Sequence, residues 1–138
     1  MHTHTHTLYM VPHGCVSLFH PQTRDVDNRQ YVMFYEAVAA DNSRSIGMAV
    51  SKDGMTGWKR CPQPVLRAGE KGRWDSGAIG QPCAVSMSKG RWRLYYSGRQ
   101  EGAATSFEGF GCAVSVEGGS QFMGMPSEFQ RRDPQTTS

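Results

Sequence analysis

The sequence predicts an all-β protein made of two successive four-stranded antiparallel meanders. Three observations carry that expectation. The segment "IGMAVSKDGMTGW" (residues 46–58) returns as "FGCAVSVEGGSQF" (residues 110–122), an offset of 64. The segment before it, "YVMFYEA" (residues 31–37), returns as "WRLYYSG" (residues 92–98), an offset of 61. Both pairs alternate with a period of two, and no stretch carries the 3.6-residue period of an amphipathic helix. A fainter third pair matches "HGCVSLF" (residues 13–19) with "QPCAVSM" (residues 81–87), an offset of 68. Length differences between copies belong in loops, where insertions are tolerated, so the chain reads as an internal repeat of 61 to 68 residues.

Each repeat divides in the same order. The first strand is "HGCVSLF" in one copy and residues 82–87 in the other. The second, near residues 31–36 and 92–97, places Tyr31, Met33 and Tyr35 or Trp92, Leu94 and Tyr96 at alternate positions. The third, near residues 46–51 and 110–115, has one bulky and one small face: Ile46, Met48 and Val50 against Gly47, Ala49 and Ser51, then Phe110, Cys112 and Val114 against Gly111, Ala113 and Ser115. Such a strand suits a sheet covered on both sides, so the two bulky faces are expected to be buried equivalently. A turn follows, Lys52-Asp53-Gly54 or Glu117-Gly118-Gly119, and then an aromatic, Trp58 or Phe122, which opens the fourth strand. Asp-Gly between alternating runs is a strong hairpin signal. Four-stranded meanders repeated at a fixed period are the signature of β-propeller blades, here with long loops.

Bulk properties narrow the function classes. Mean hydropathy is −0.54 and hydrophobic residues make up 38% of the chain. The 15 Lys and Arg are interspersed with 12 acids, which gives no basic stripe for a nucleic acid to follow. No apolar run is long enough to span a membrane, and none resembles a signal-peptide core. Cys15, Cys61, Cys83 and Cys112 have no CxxC spacing and read as free thiols of strands and core, so neither a metal site nor a cofactor is expected. "MHTHTHT" (residues 1–7) reads as low-complexity sequence, and residues 126–138 as a polar tail. The repeats thus occupy residues 8–125, about 8–63 and 64–125.

Taken in order, Trp74-Asp75-Ser76-Gly77, Gly80-Gln81-Pro82, "WRLYYSG", "IGMAVS" and "SKDGMTGW" resemble recurrent phrases of the five-bladed β-propeller glycoside hydrolase superfamily. Its members include arabinanases, levansucrases, invertases and the enzymes of families 43, 32, 68 and 130. Ser51, Asp53 and Trp58 also match half of the Asp-box of sialidases. The resemblance implies about two blades of a five-bladed propeller and a carbohydrate as partner. It also implies that sugars bind the rim where the first strand of each blade begins. That rim would carry Glu36, Asp41, Arg44, Glu70, Arg73, Trp74, Asp75, Arg99, Glu101 and Glu108, while Asp53 would lie on the opposite rim as a turn residue.

Glycoside hydrolysis needs two carboxylates flanking one bond. Asp75 is the best candidate for one of them, with a turn carboxylate that caps backbone amides as its alternative role. Glu36 stands where the second copy has Ser97; it is a weaker catalytic candidate and reads rather as a solvated loop acid. Trp74, Gln81, Tyr96 and Arg99 are the candidate sugar-contacting residues. Many members of the superfamily carry Asp directly before the proline at Pro82. Gln81 stands there instead and cannot act as a base. A ring of five such blades needs roughly 310 residues against the 138 here, so the other blades are expected from a longer chain or from self-association. The function expected is a glycoside-hydrolase-like propeller fragment, or alternatively a non-catalytic carbohydrate-binding or protein-interaction propeller.

Overall fold

The computed structural model describes residues 9–19 (as backbone), 30–102 and 109–132. The His-Thr tract at residues 1–7, Glu108 and the end of the polar tail lie outside them. The described chain is all-β and antiparallel. The first sheet runs β1 (Tyr9–Phe19), β2 (Gln30–Val38), β3 (Arg44–Ser51) and β4 (Lys59–Arg60), and β5 (Leu66–Arg67) also pairs with β3. The second runs β6 (Ala78–Ser86), β7 (Trp92–Arg99) and β8 (Gly109–Ser115). A small hairpin, β9 (Gln121–Phe122) and β10 (Met125–Pro126), precedes its outer strand β11 (Phe129–Arg131). Among the described residues the only helical element is a 3-10 turn at Ser88–Gly90.

The two sheets share one register. In the first, Val32 pairs with Val50, Phe34 with Met48 and Glu36 with Ile46. In the second, Arg93 pairs with Val114, Tyr95 with Cys112 and Ser97 with Phe110. The offsets of 61 and 64 read from the sequence therefore hold pair by pair. The outer strands correspond as well, but later in the chain. Ala49 pairs with Arg60 and Ala113 with Arg131, so the second copy reaches its outer strand seven residues late, and the β9–β10 hairpin lies in that extra length. This corrects the expected boundary at residue 125, because Phe129–Arg131 is a strand of the second sheet rather than tail.

One core lies between the sheets. Val32, Phe34, Ile46, Met48 and Val50 pack against Ile79, Trp92, Leu94, Tyr96, Ala113, Met125 and Phe129. Phe34 is its centre: its ring meets Trp92 at 6.0 Å and, edge to face, Phe129 at 5.8 Å. Such arrangements suit the ring quadrupoles. The second sheet therefore presents Trp92, Leu94 and Tyr96 inward, whereas the first presents the alternate set, Val32, Phe34 and Glu36. Opposite faces of the same repeat meet.

That geometry overturns the expected equivalence of the bulky faces. Ile46, Met48 and Val50 are at most 1% exposed, but Phe110 is 91% exposed and Cys112 and Val114 are half-buried. The strands are alike; only the first has a sheet across from it.

A close approach recurs in both repeats. A Cβ added at Gly47 would meet the Tyr35 ring at 2.5 Å, and one added at Gly111 would meet the Tyr96 ring at 2.5 Å. The small face of each third strand is thus a seat for the tyrosine of the second.

Candidate functional site

The connection from β5 to β6 delivers Trp74 and Asp75 to the end of the second sheet where β6 and β8 begin. A short backbone scaffold fixes it: the Arg73 amide donates to the Glu70 carbonyl, the Ser76 amide to the Arg73 carbonyl and the Gly77 amide to the Arg99 carbonyl, at 2.9–3.2 Å. Trp74 settles over Gly98, Gly109 and Gly111, where any Cβ would come within 3.0 Å of the indole. It also stacks on Tyr96, with ring centres 5.8 Å apart and 18° between planes.

Asp75 lies beneath it, fully buried. Its Oδ2 accepts the Tyr96 hydroxyl at 2.8 Å and Arg131 Nε at 2.7 Å, and its Oδ1 accepts Arg73 Nε at 3.2 Å. Burial opposes ionisation here. The hydrogen bonds from Arg131 and Tyr96, with the charges of Arg131 and Arg73, outweigh it and hold the carboxyl below its ordinary range. Arg131 also donates through Nη2 to the Arg67 carbonyl, so one guanidinium clamps both ends of the connection. The alternative role expected for Asp75, capping backbone amides, is replaced by a side-chain network.

Glu36 is not a solvated loop acid. It belongs to β2 and is 1% exposed. Its Oε1 accepts the Gln81 amide at 2.6 Å and its Oε2 faces Arg44 Nη1 at 3.5 Å. Gln81 sits at a break in the β6 register with φ +49°, and its amide thereby turns off the ladder toward the first sheet. Glu36 is thus a polar link between the two sheets. The Gln81 side chain itself is exposed.

Glu36, Arg44, Gln81, Trp74, Asp75, Arg99 and Glu101 thus share one end of the sheets, where β2 and β7 finish and β3, β6 and β8 start. Arg99 is half-exposed and Glu101 exposed. Asp41, on the β2–β3 turn, accepts the amide and hydroxyl of Ser43. Asp53 is at the other end, after β3. Its Oδ1 accepts the Met55 and Thr56 amides at 2.9 and 2.8 Å, and its Oδ2 the Thr56 hydroxyl at 2.6 Å. Those bonds, that of the Thr56 hydroxyl first, hold its carboxyl far below the usual range.

Arg131, a partner of the buried Asp75, is the residue that sequence reasoning missed; Arg44, which faces Glu36, was expected on this rim. The signal for Arg131 was its place beside the outer-strand aromatic Phe129, hidden by the longer hairpin. Among the described residues no three His, Cys, Asp or Glu side chains gather as a metal site, and no helix is long and apolar enough to cross a membrane.

Fold and site together define an all-β protein of two repeated antiparallel sheets joined through a common core. No protein-family model matches the chain, and no curated protein matches it.

Proposed function

We propose that the chain is a pair of β-propeller blades that holds carbohydrate without cleaving it. The observation that carries the non-catalytic half of this reading is the state of Asp75. A general acid or nucleophile must reach the glycosidic bond. Asp75 is instead enclosed, ionised and bonded at both oxygens to this chain's own Tyr96, Arg131 and Arg73. Glu36 is spent in the same manner on the Gln81 amide, and Gln81 has no carboxylate to offer. What two buried acids do here is fix the rim on which exposed polar groups such as Arg99, Glu101 and the Gln81 side chain stand. The blade identity and the sugar class rest on the resemblance of "WRLYYSG", "IGMAVS" and Trp74-Asp75-Ser76-Gly77 to the propeller glycoside hydrolases, supported by the shared register and the face-to-face packing of the sheets.

The test has two arms. Purified chain incubated with arabinan, fructan and mannoside substrates is expected to release no reducing sugar. A glycan array followed by calorimetry is expected to find weak binding that Arg99→Ala and Gln81→Ala reduce. Sugar release that is lost on Asp75→Asn with the fold intact, judged by circular dichroism, makes the protein a glycoside hydrolase and Asp75 its catalytic acid. No binding to any glycan removes the carbohydrate class and leaves a protein-interaction propeller.

A further inference from the structure

We propose that copies of this chain associate head to tail, the second sheet of one docking on the first sheet of the next. The proposal rests on repeat equivalence and on burial, and is independent of the carbohydrate reading. The internal interface shows what the two faces of a repeat are for. One face, Val32, Phe34, Ile46, Met48 and Val50, receives the opposite face of the following repeat, Trp92, Leu94, Tyr96 and Ala113. One face of each kind therefore lies outside the core between the sheets.

The spare receiving face is on the second sheet. By register, Arg93, Tyr95, Phe110, Cys112 and Val114 stand where Val32, Phe34, Ile46, Met48 and Val50 stand in the first. Tyr95 is 42% exposed, Phe110 91%, and Val85 beside them 43%. Single exposed apolar residues are ordinary, but a contiguous row along three neighbouring strands is an interaction surface. Arg93 is the charged departure from the pattern, and its Nη1 turns to the Tyr95 hydroxyl at 3.3 Å.

The inserting face of the first sheet is only partly free: Tyr31, Met33, Tyr35 and Ala49 stand where Trp92, Leu94, Tyr96 and Ala113 stand in the second, and Tyr35 and Ala49 are already at most 1% exposed. Tyr31 and Met33 are half-buried, and Met33 and Trp58 flank the small cluster of Tyr35, Ala37 and Ala49. Trp58 occupies the outer-strand position of Phe129, because Arg60 and Arg131 pair with equivalent alanines. Within the molecule Phe34 sits between Trp92 and Phe129. Between molecules the same geometry sets Tyr95 of one copy between Tyr31 and Trp58 of the next. The occupant that matches both spare faces is this chain itself, since each face is a copy of the one that the other already binds. Such a contact is heterologous; it closes as a ring or extends as an open chain.

Light scattering and native mass spectrometry of the full chain test this. The expected result is concentration-dependent association in integral multiples of the chain. Phe110→Glu, at a site too exposed to disturb the fold, is expected to raise the association Kd by about tenfold or more. Met33→Glu, checked for native circular dichroism, is expected to weaken association similarly. Mixing the two variants leaves one intact junction, receiving face of the Met33→Glu chain to inserting face of the Phe110→Glu chain, so the mixture is expected to stop at a heterodimer. A single chain mass at every concentration up to the millimolar range overturns the proposal. So does wild-type association that survives Phe110→Glu, which would place the contact elsewhere. A mixture that stays monomeric overturns the head-to-tail geometry, and so do homodimers of either variant alone, which mean that each face pairs with its own kind.

Discussion

The two sheets carry the same strands in the same register, yet they differ most at the tyrosine each keeps against a glycine. Tyr96 is locked: its hydroxyl is bound by Asp75, its ring is stacked on Trp74, and Arg131 lies 5.9 Å above it. Tyr35 is equally buried, at 1% exposure, but its hydroxyl has no hydrogen-bond partner among the described residues. Desolvation raises its pKa, with Arg60 opposing. The repeated phrase sets the backbone and the seat of the ring. What the ring then does depends on the segment that precedes each copy, and only the second copy has a Trp-Asp there.

The largest test of that difference is removal of the acid. Asp75→Asn leaves Arg131 and Arg73 without a counter-charge at a buried site. Breaking a buried pair costs about 3–5 kcal/mol, and because both arginines are partly solvated the expected loss is at the lower end, about 3 kcal/mol. Calorimetry should then show Tm about 10 °C lower. A change within measurement error would mean that the network does not hold the connection.

Next come the two glycines. A Cβ at either would strike a tyrosine ring at 2.5 Å, but of the two rings only Tyr96 is also anchored by its hydroxyl among the described residues. Gly111→Ala is expected to cost about 2–3 kcal/mol in urea unfolding and Gly47→Ala about 1 kcal/mol, within the range for overpacking. Equal losses would erase the distinction between a ring anchored by its hydroxyl and one that is not.

Deleting the hydroxyls gives opposite signs of consequence at a smaller scale. Tyr96→Phe strips a hydrogen bond from a buried carboxylate and is expected to lose about 1.5–3 kcal/mol. Tyr35→Phe removes an unpaired polar atom and is expected to be neutral or slightly stabilising. The same chemical change, made in matched positions, thus reads the two environments directly.

The gentlest probe is acid. Asp75 and Asp53 both sit below the ordinary carboxyl value of 3.8, so the unfolded chain binds more protons than the folded one in that region. Their stabilisation is complete above that value and is lost as pH falls through the folded pKa values. Unfolding free energy measured against pH should therefore decline below about pH 4, and decline less steeply in Asp75→Asn.

Much of the fold was legible because a sheet writes its period into neighbouring residues. The 61 and 64 offsets became pair-by-pair register, and Ser51-Lys52-Asp53 became a turn closed by its own amides. What could not be read was set by partners far along the chain. Glu36 looks like a loop acid because its ligand is a backbone amide 45 residues away, and an amide has no side-chain signature. Arg131 meets Asp75 across 56 residues, through a strand displaced by the extra hairpin. The unequal fate of Ile46 and Phe110 was hidden for a different reason: alternation reports that a face is apolar, and only the neighbouring sheet decides whether it is covered.

The β9–β10 hairpin also reaches back across the molecule. Gln30 Nε2 donates to the Met123 carbonyl at 2.7 Å, and the Phe129 amide to the Val65 carbonyl at 3.3 Å. The first sheet is thus finished by residues at the far end of the polypeptide. A nascent chain that has emerged only as far as Arg67 already owns every strand of that sheet, but Val32, Phe34, Ile46 and Met48 have no facing sheet until β6 and β7 follow. The unit of sequence duplication is half the unit of folding, and a ribosome that stalls between the two copies would leave an aggregation-prone apolar sheet in solution.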